Sequence, residues 1–266
     1  MTPRLAFFAL FALLAGASTL FAANRHDLLV EGAVDFEIAP LLDALQGKQQ
    51  VQIGSWTYWT GRIGAKSVVI ARTEQGPINA SASTAFAIDR FHPAAIIDEG
   101  TAGAHNPDYD VFDIVLGAKT MDFSGYKSEH KDAGAGIDVT QWNPMPHELR
   151  IGGRETKSFT AFSGDPALLA AARNTRYEKG KLRVGNIGSA YSFNRQIDFA
   201  RWARKTWGTD SEDMESAYAA GVAAGMQIPF LAIRIISNSE YTHPKFERVA
   251  GTYCAQFVVG LIRAMK

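Results

Sequence analysis

Cysteine is almost absent: Cys254 is the single one in 266 residues. One thiol excludes an internal disulfide framework and any cysteine-cluster metal site. A charge excess is also missing, since Lys+Arg and Asp+Glu both number 27. With no basic stripe and no acidic tail beside that balance, no nucleic-acid partner is expected. The phosphate-cradling glycine loops G-x-x-x-x-G-K-[ST] and G-x-G-x-x-G do not occur. Neither do H-E-x-x-H, an EF-hand loop or the G-x-S-x-G nucleophile elbow. Six histidines, at 26, 92, 105, 130, 147 and 243, show no ligand spacing and read as loop or surface residues. No metal and no cofactor is therefore expected.

What is present is core-forming material: 47% of the residues are hydrophobic and 11% aromatic. That composition excludes a disordered chain. Residues 1–23 stand apart, with one charge, Arg4, then the apolar run Leu5 to Ala15 and a small-residue exit through Ala22 and Ala23. This is the pattern of a signal peptide, which predicts a periplasmic or secreted protein with no membrane contact after cleavage. An uncleaved anchor is the alternative, because the uncharged stretch approaches the ~18–20 residues needed to span a bilayer.

No Pro- or Ser-rich linker and no repeat divides residues 24–266, so one domain is expected there. Strand-like runs alternate with helical patterns. Leu28–Val34, Ser67–Ala71, Ala94–Ile97, Val111–Leu116, Leu182–Ile187 and Ile228–Ile236 read as strands, and Val51–Arg62 reads as a hairpin. Ile38–Leu45, Ala80–Ile88, Pro166–Arg173, Arg195–Lys205, Asp213–Met226 and Phe246–Met265 read as helices, with Asp165 a plausible cap. Lys119–Ser158 is polar and glycine-rich and reads as loops. Repeated strand-then-helix order predicts α/β, with a mixed, largely parallel central sheet flanked by helices in three layers.

In such sheets ligands bind beyond the carboxyl ends of the strands. Four polar groups fall there: Glu37; the loop Glu99-Gly100-Thr101-Ala102-Gly103; Glu215; and Arg234 with Ser237 and Asn238. Glu37 and Glu215 could equally be helix-start carboxylates and the glycines a simple turn. Arg234 inside an apolar strand needs a partner, and Glu215 or Glu99 would serve.

Three blocks carry a family resemblance: GAVDFEIAPLL at 32–42, IIDEGTAGAHNPDYDVFDIVL at 96–116 and DMESAYAAGVAAGMQIPFLAIRIISN at 213–238. They resemble the purine nucleoside phosphorylase/uridine phosphorylase superfamily, and within it the nucleosidases of 5′-methylthioadenosine and S-adenosylhomocysteine. The resemblance implies that Glu37 activates water, that Met214 and Glu215 hold the ribose, and that Thr101 and Gly103 belong to the loop near sugar and base. It implies that Phe193 stacks on the purine, that Asn194 stands beside its edge, and that Arg234 supports the site. It further implies a homodimer.

Asn238 departs from the pattern, for these nucleosidases carry aspartate there. An amide cannot deliver a proton to purine nitrogen 7, although it can hydrogen-bond it. The lost acid is a loss of about 10²–10⁴-fold, unless the base preference has moved from adenine toward hypoxanthine or guanine. Glu240, two residues on, is a possible substitute. The superfamily's phosphorylases open with an arginine for phosphate, whereas GAVDFE supplies acids that repel it, with Glu31 nearby. The expected reaction is hydrolysis of a purine N-glycosidic bond. Phosphorolysis of 6-oxopurine nucleosides, or a non-catalytic binding or storage role, are the alternatives.

Overall fold

The computed structural model describes residues 25–265. The leader assigned to residues 1–23 lies outside them. β1 (Leu28–Gly32) is buried at every position, so both faces of its sheet must be covered. It leads into α1 (Asp35–Ala44), then the antiparallel run β2 (Gln46–Ile53), β3 (Trp56–Ile63) and β4 (Lys66–Arg72). α2 (Pro77–Phe91) crosses to β5 (Ala95–Ala104) and β6 (Ile114–Asp122). Two small antiparallel ribbons follow, β7 (Tyr126–Lys127) with β8 (Asn143–Pro144), and β9 (His147–Ile151) with β10 (Glu155–Phe159). β11 (Phe162–Ser163), α3 (Pro166–Arg173), β12 (Leu182–Ser189), α4 (Ile197–Trp207), β13 (Ser211–Asp213), α5 (Ser216–Gly225), β14 (Phe230–Asn238) and α6 (Val249–Ala264) complete the order.

Ten strands join in the order β11-β6-β12-β13-β5-β1-β4-β3-β2, and β14 pairs with both β5 and β6. Those pairings close β5, β14, β6, β12 and β13 into a ring, while β1, β4, β3 and β2 extend from β5 as an open wing. The pairs β1–β4, β1–β5, β5–β14 and β6–β12 are parallel, and the hairpins of the wing are antiparallel. The sheet is mixed, as the alternation predicts.

Strand alternation divides the core into two. Leu28 and Val30 face one cluster, which α1, α3 and α6 cover with Ile38, Leu41, Leu168, Val258 and Leu261. Leu29 faces the other, where α2 and α5 contribute Ala87, Ile88, Ala219 and Ala223. The small residues of α5 let it sit close to the sheet, and Pro77 starts α2 where its missing N–H costs nothing. Asp165 caps α3, accepting from the N–H groups of Ala167 and Leu168 at 2.9 Å.

Most boundaries shift by a few residues, and three departures bear on the site or its surroundings. The strand beginning at Ala95 does not stop at Ile97 but runs through Asp-Glu-Gly-Thr-Ala-Gly to Ala104. Pairing with β1, β14 and β13 outweighs the low strand propensity of glycine and acids. The small-residue helix starts at Ser216 rather than Asp213, because Asp213 pairs with Ser189 as part of β13. Within Lys119–Ser158, β6 continues to Asp122 and the ribbons fold what reads as loop.

Candidate active site

The carboxyl ends of β1, β5 and β14 converge with β13 on one cleft. Its empty space is about 590 Å³ and its lining includes Phe36, Glu37, Thr101, Gly103, Phe193, Glu212, Met214, Glu215, Asn238 and Phe246. No Lys or Arg lines it among the described residues.

Glu37 is the third residue of α1 and is 4% exposed. Its Oε2 accepts from the N–H of Ala33 at 3.0 Å and of Val34 at 3.3 Å, the latter being the residue before the helix. Its Oε1 accepts from the Thr101 N–H and the Thr101 hydroxyl, both at 2.9 Å. A carboxylate offers about four acceptor sites. All are filled, and the rotatable Thr101 hydroxyl holds the one that a water can take over. Thr101 therefore acts on Glu37 as well as on the cleft.

Glu215 stands across the cleft at the start of α5. Its Oε1 accepts from the Gly76 N–H at 2.9 Å and its Oε2 from the Met214 N–H at 3.3 Å. Gly76 has φ +93°, and a side chain there would also strike the Tyr191 ring at 2.7 Å. Burial, then the neighbouring Asp213, pushes the Glu215 carboxyl up to about 8. Both of its oxygens face the cleft end of α5 as acceptors of backbone N–H groups.

Behind the cleft lies Arg234, 2% exposed and the one buried Lys or Arg among the described residues. It binds Asp213 through Nε at 2.5 Å and Asp98 through Nη2 at 2.6 Å. Its partners are thus Asp98 and Asp213. Glu215 stands 3.9 Å away as a third acid, and the expected Glu99 contact is not formed. Asp213 also accepts from the hydroxyls of Ser189 and Ser216, which fixes β13 against α5. Bare Gly100 makes the close packing possible, because a side-chain carbon there would lie 2.6 Å from Arg234 Nη1 and 3.0 Å from Glu37 Oε1.

Acids outnumber this one cation. Burial, opposed by Arg234, leaves Asp98 pushed up to about 7. Burial, then Glu37, pushes Glu99 well above the carboxylate range, and burial with Asp98 does the same to Glu31. The Thr84 hydroxyl lies 2.9 Å from Glu31 Oε1 and 2.7 Å from the Ala80 carbonyl. The Thr84 hydroxyl is thus the donor to Glu31, shared with the Ala80 carbonyl.

Of the residues expected at the site, Glu37, Thr101, Gly103, Phe193, Met214, Glu215 and Asn238 all line the cleft. Phe193 is 57% exposed at the mouth. Asn194 does not line the cleft, since its amide is turned to Ser192 and Glu212. Glu240 pairs with Arg195 at 3.2 Å and is no substitute acid in the cleft. Of the acids in GAVDFE and beside it, only Glu37 faces the cavity. Asp35 is exposed against Arg72, and Glu31 is buried behind. Sequence reasoning missed Phe36, Phe246 and above all Glu212, which register alone brings beside Gly103. His105 is 2% exposed, not a surface residue, and its Nε2 lies 3.1 Å from Glu212 Oε2. Among the described residues no group of acids, histidines and cysteine could hold a metal ion.

A mixed sheet closed into a ring, with two facing glutamates at the strand ends and a buried arginine behind them, frames an acid-walled small-molecule cleft. Residues 27–263 match the model of the Phosphorylase superfamily, and the chain belongs to that family. Among its relatives is the 5′-methylthioadenosine/S-adenosylhomocysteine nucleosidase of Bacillus licheniformis, 28% identical over 89% of this chain and 98% of that protein. The protein of the same description from Tolumonas auensis is 24% identical, over 88% and 97%. The fold matches that nucleosidase from Neisseria meningitidis in complex with methylthio-immucillin-A, at TM-score 0.73 and 22% identity, over 91% of this chain and 100% of that one. It also matches the futalosine hydrolase of Helicobacter pylori, at TM-score 0.73 and 18% identity, over 92% and 100%.

Proposed function

We propose that this protein hydrolyses the N-glycosidic bond of purine nucleosides. The observation that carries the reading is the pair Glu37 and Glu215, fixed on opposite sides of one cleft that no Lys or Arg lines among the described residues. A cleft walled by acids repels phosphate and admits neutral water. Water displaces the Thr101 hydroxyl from Glu37, which orients it and takes its proton as it attacks the anomeric carbon. Glu215 holds the ribose hydroxyls, Phe193 and Met214 give apolar walls, and Asn238 hydrogen-bonds the departing base. Relatives described as nucleosidases, at 24–28% identity over nearly their full length, support the same reaction.

The test is base release from a panel of purine nucleosides with and without phosphate. Release without phosphate is expected, and strict dependence on it would overturn the hydrolytic reading. Glu37→Gln should lower turnover by about 10²-fold or more while nucleoside binding persists. If the wild type releases no base from any nucleoside, the binding or storage reading replaces this one.

The leader-like start supports a further part of the proposal: the chain is exported and acts on nucleosides outside the cytoplasm. Sequencing the N-terminus of the secreted protein tests it. We also propose a homodimer, supported by the exposed apolar residues Ile78 and Phe86 on α2. A monomer mass in sedimentation at working concentration would rule it out.

A further inference from the structure

The hydrolytic chemistry leaves one buried acid of the cleft idle, Glu212. It lies on β13 in antiparallel register with Gly103 of β5, while Asn238 of β14 pairs with the same glycine from the other side. A side-chain carbon on Gly103 would lie 3.5 Å from Glu212 Cγ, 3.6 Å from Asn238 Nδ2 and 3.7 Å from Glu212 Oε1. The missing side chain leaves a niche with a carboxylate on one wall and an amide on the other.

Two groups of Asn194 donate to the carboxylate, and the His105 ring stands beside it without an aligned hydrogen bond. The Asn194 N–H donates to Oε1 at 3.2 Å, the Asn194 amide donates to Oε2 at 3.3 Å, and His105 Nε2 stands 3.1 Å from Oε2. His105 is itself held through Nδ1, 2.7 Å from the Thr209 hydroxyl. Of about four acceptor sites on a carboxylate, Asn194 fills two, so capacity remains for a donor placed in the niche. The Asn238 carbonyl oxygen lies 3.1 Å from the Ser237 hydroxyl, and its NH₂ end faces the niche. The neighbouring carboxylate favours that orientation, since it attracts N–H and repels a carbonyl oxygen.

The niche therefore offers a donor beside an acceptor. A 6-oxopurine presents the complement, the O6 acceptor beside the N1–H donor. A 6-aminopurine presents the reverse, an amino donor beside an unprotonated N1. The geometry points to Glu212 as a specificity-determining residue that accepts N1–H of a 6-oxopurine while Asn238 donates to O6, so that the substrates are 6-oxopurine nucleosides. His105, Thr209 and Asn194 are positioning residues for that carboxylate. This assignment rests on the purine nucleoside reading of the cleft.

It also removes the need for an acid at position 238. The bond from the anomeric carbon to N9 breaks, and its electron pair leaves with the base, where charge spreads onto O6 against the Asn238 N–H. The water oxygen bonds the anomeric carbon, its proton passes to Glu37, and the base takes a proton from solvent after departure.

The experiment is calorimetric binding of hypoxanthine and of adenine to the intact protein, beside base release from inosine and adenosine. Hypoxanthine should bind at least tenfold tighter than adenine, because a buried carboxylate left facing a bare ring nitrogen is unpaired. In Glu212→Gln that ratio should fall tenfold or more. Equal or tighter adenine binding by the wild type, or binding of neither base, overturns the assignment, and so does an unchanged ratio in the variant. The wild-type ratio decides the substrate class even if the variant misfolds. Hypoxanthine binding without base release from inosine leaves the assignment standing and fails the hydrolytic reading alone.

Discussion

At the scale of single residues, the site works by controlling which oxygens and nitrogens remain free. Glu37 has every acceptor site filled, so its chemistry waits on the Thr101 hydroxyl yielding to water. Asn238 is 3% exposed and cannot act as an acid. Restoring one with Asn238→Asp should raise base release from adenosine relative to inosine by about tenfold or more, within the range that acid catalysis supplies. Steady-state kinetics on the two nucleosides checks this. Arg234 is the residue whose loss the fold can least absorb. Arg234→Ala strands Asp98 and Asp213 without their cation, and should cost about 3–5 kcal/mol in urea unfolding.

At the scale of elements, β5 is the piece that matters most, and the sequence showed only part of it. Ile96 and Ile97 announce a strand through their side chains. The next seven residues form strand only because β1, β13 and β14 lie beside them, and that information is not local. The same applies to the site. Glu37, Glu215 and Asn238 were legible because their motifs sit at strand ends and resemble a family. Glu212 and His105 carry no motif, and three-residue β13 has no periodicity to mark it. Pro166–Arg173, by contrast, was legible to the residue, since its start is written in Asp165 and Pro166. The prediction at this scale concerns Gly100. Gly100→Ala would press a methyl against Arg234 and Glu37, so base release should fall by about 10²-fold or more with a lowered melting temperature. Activity and thermal melts of the purified variant measure both.

At the scale of the whole molecule, the zero net charge conceals an uneven distribution. Glu31, Asp98, Glu99 and Glu215 all have carboxyl groups pushed upward by burial, to about 7 for Asp98 and about 8 for Glu215. In the unfolded chain these groups titrate near 4. The folded protein therefore holds protons that the unfolded chain releases, and stability falls as pH rises through that interval. The melting temperature should drop by several degrees between pH 6 and pH 9, and substituting Asp98→Asn should flatten the slope. A melting temperature that rises over this range would contradict the protonated state of the cluster.

The two ends of the ten-stranded sheet are unlike its middle. β11 is two residues long, and β2 is a polar, largely exposed strand with Lys48 and a register shift between Gln46 and Gln49. A short end and a kinked, charged end both refuse another strand. Both ends therefore disfavour lengthening of one copy's sheet by another, and with it edge-to-edge fibril growth from the native state. The exposed apolar residues Ile78 and Phe86 lie on α2 rather than on either end strand.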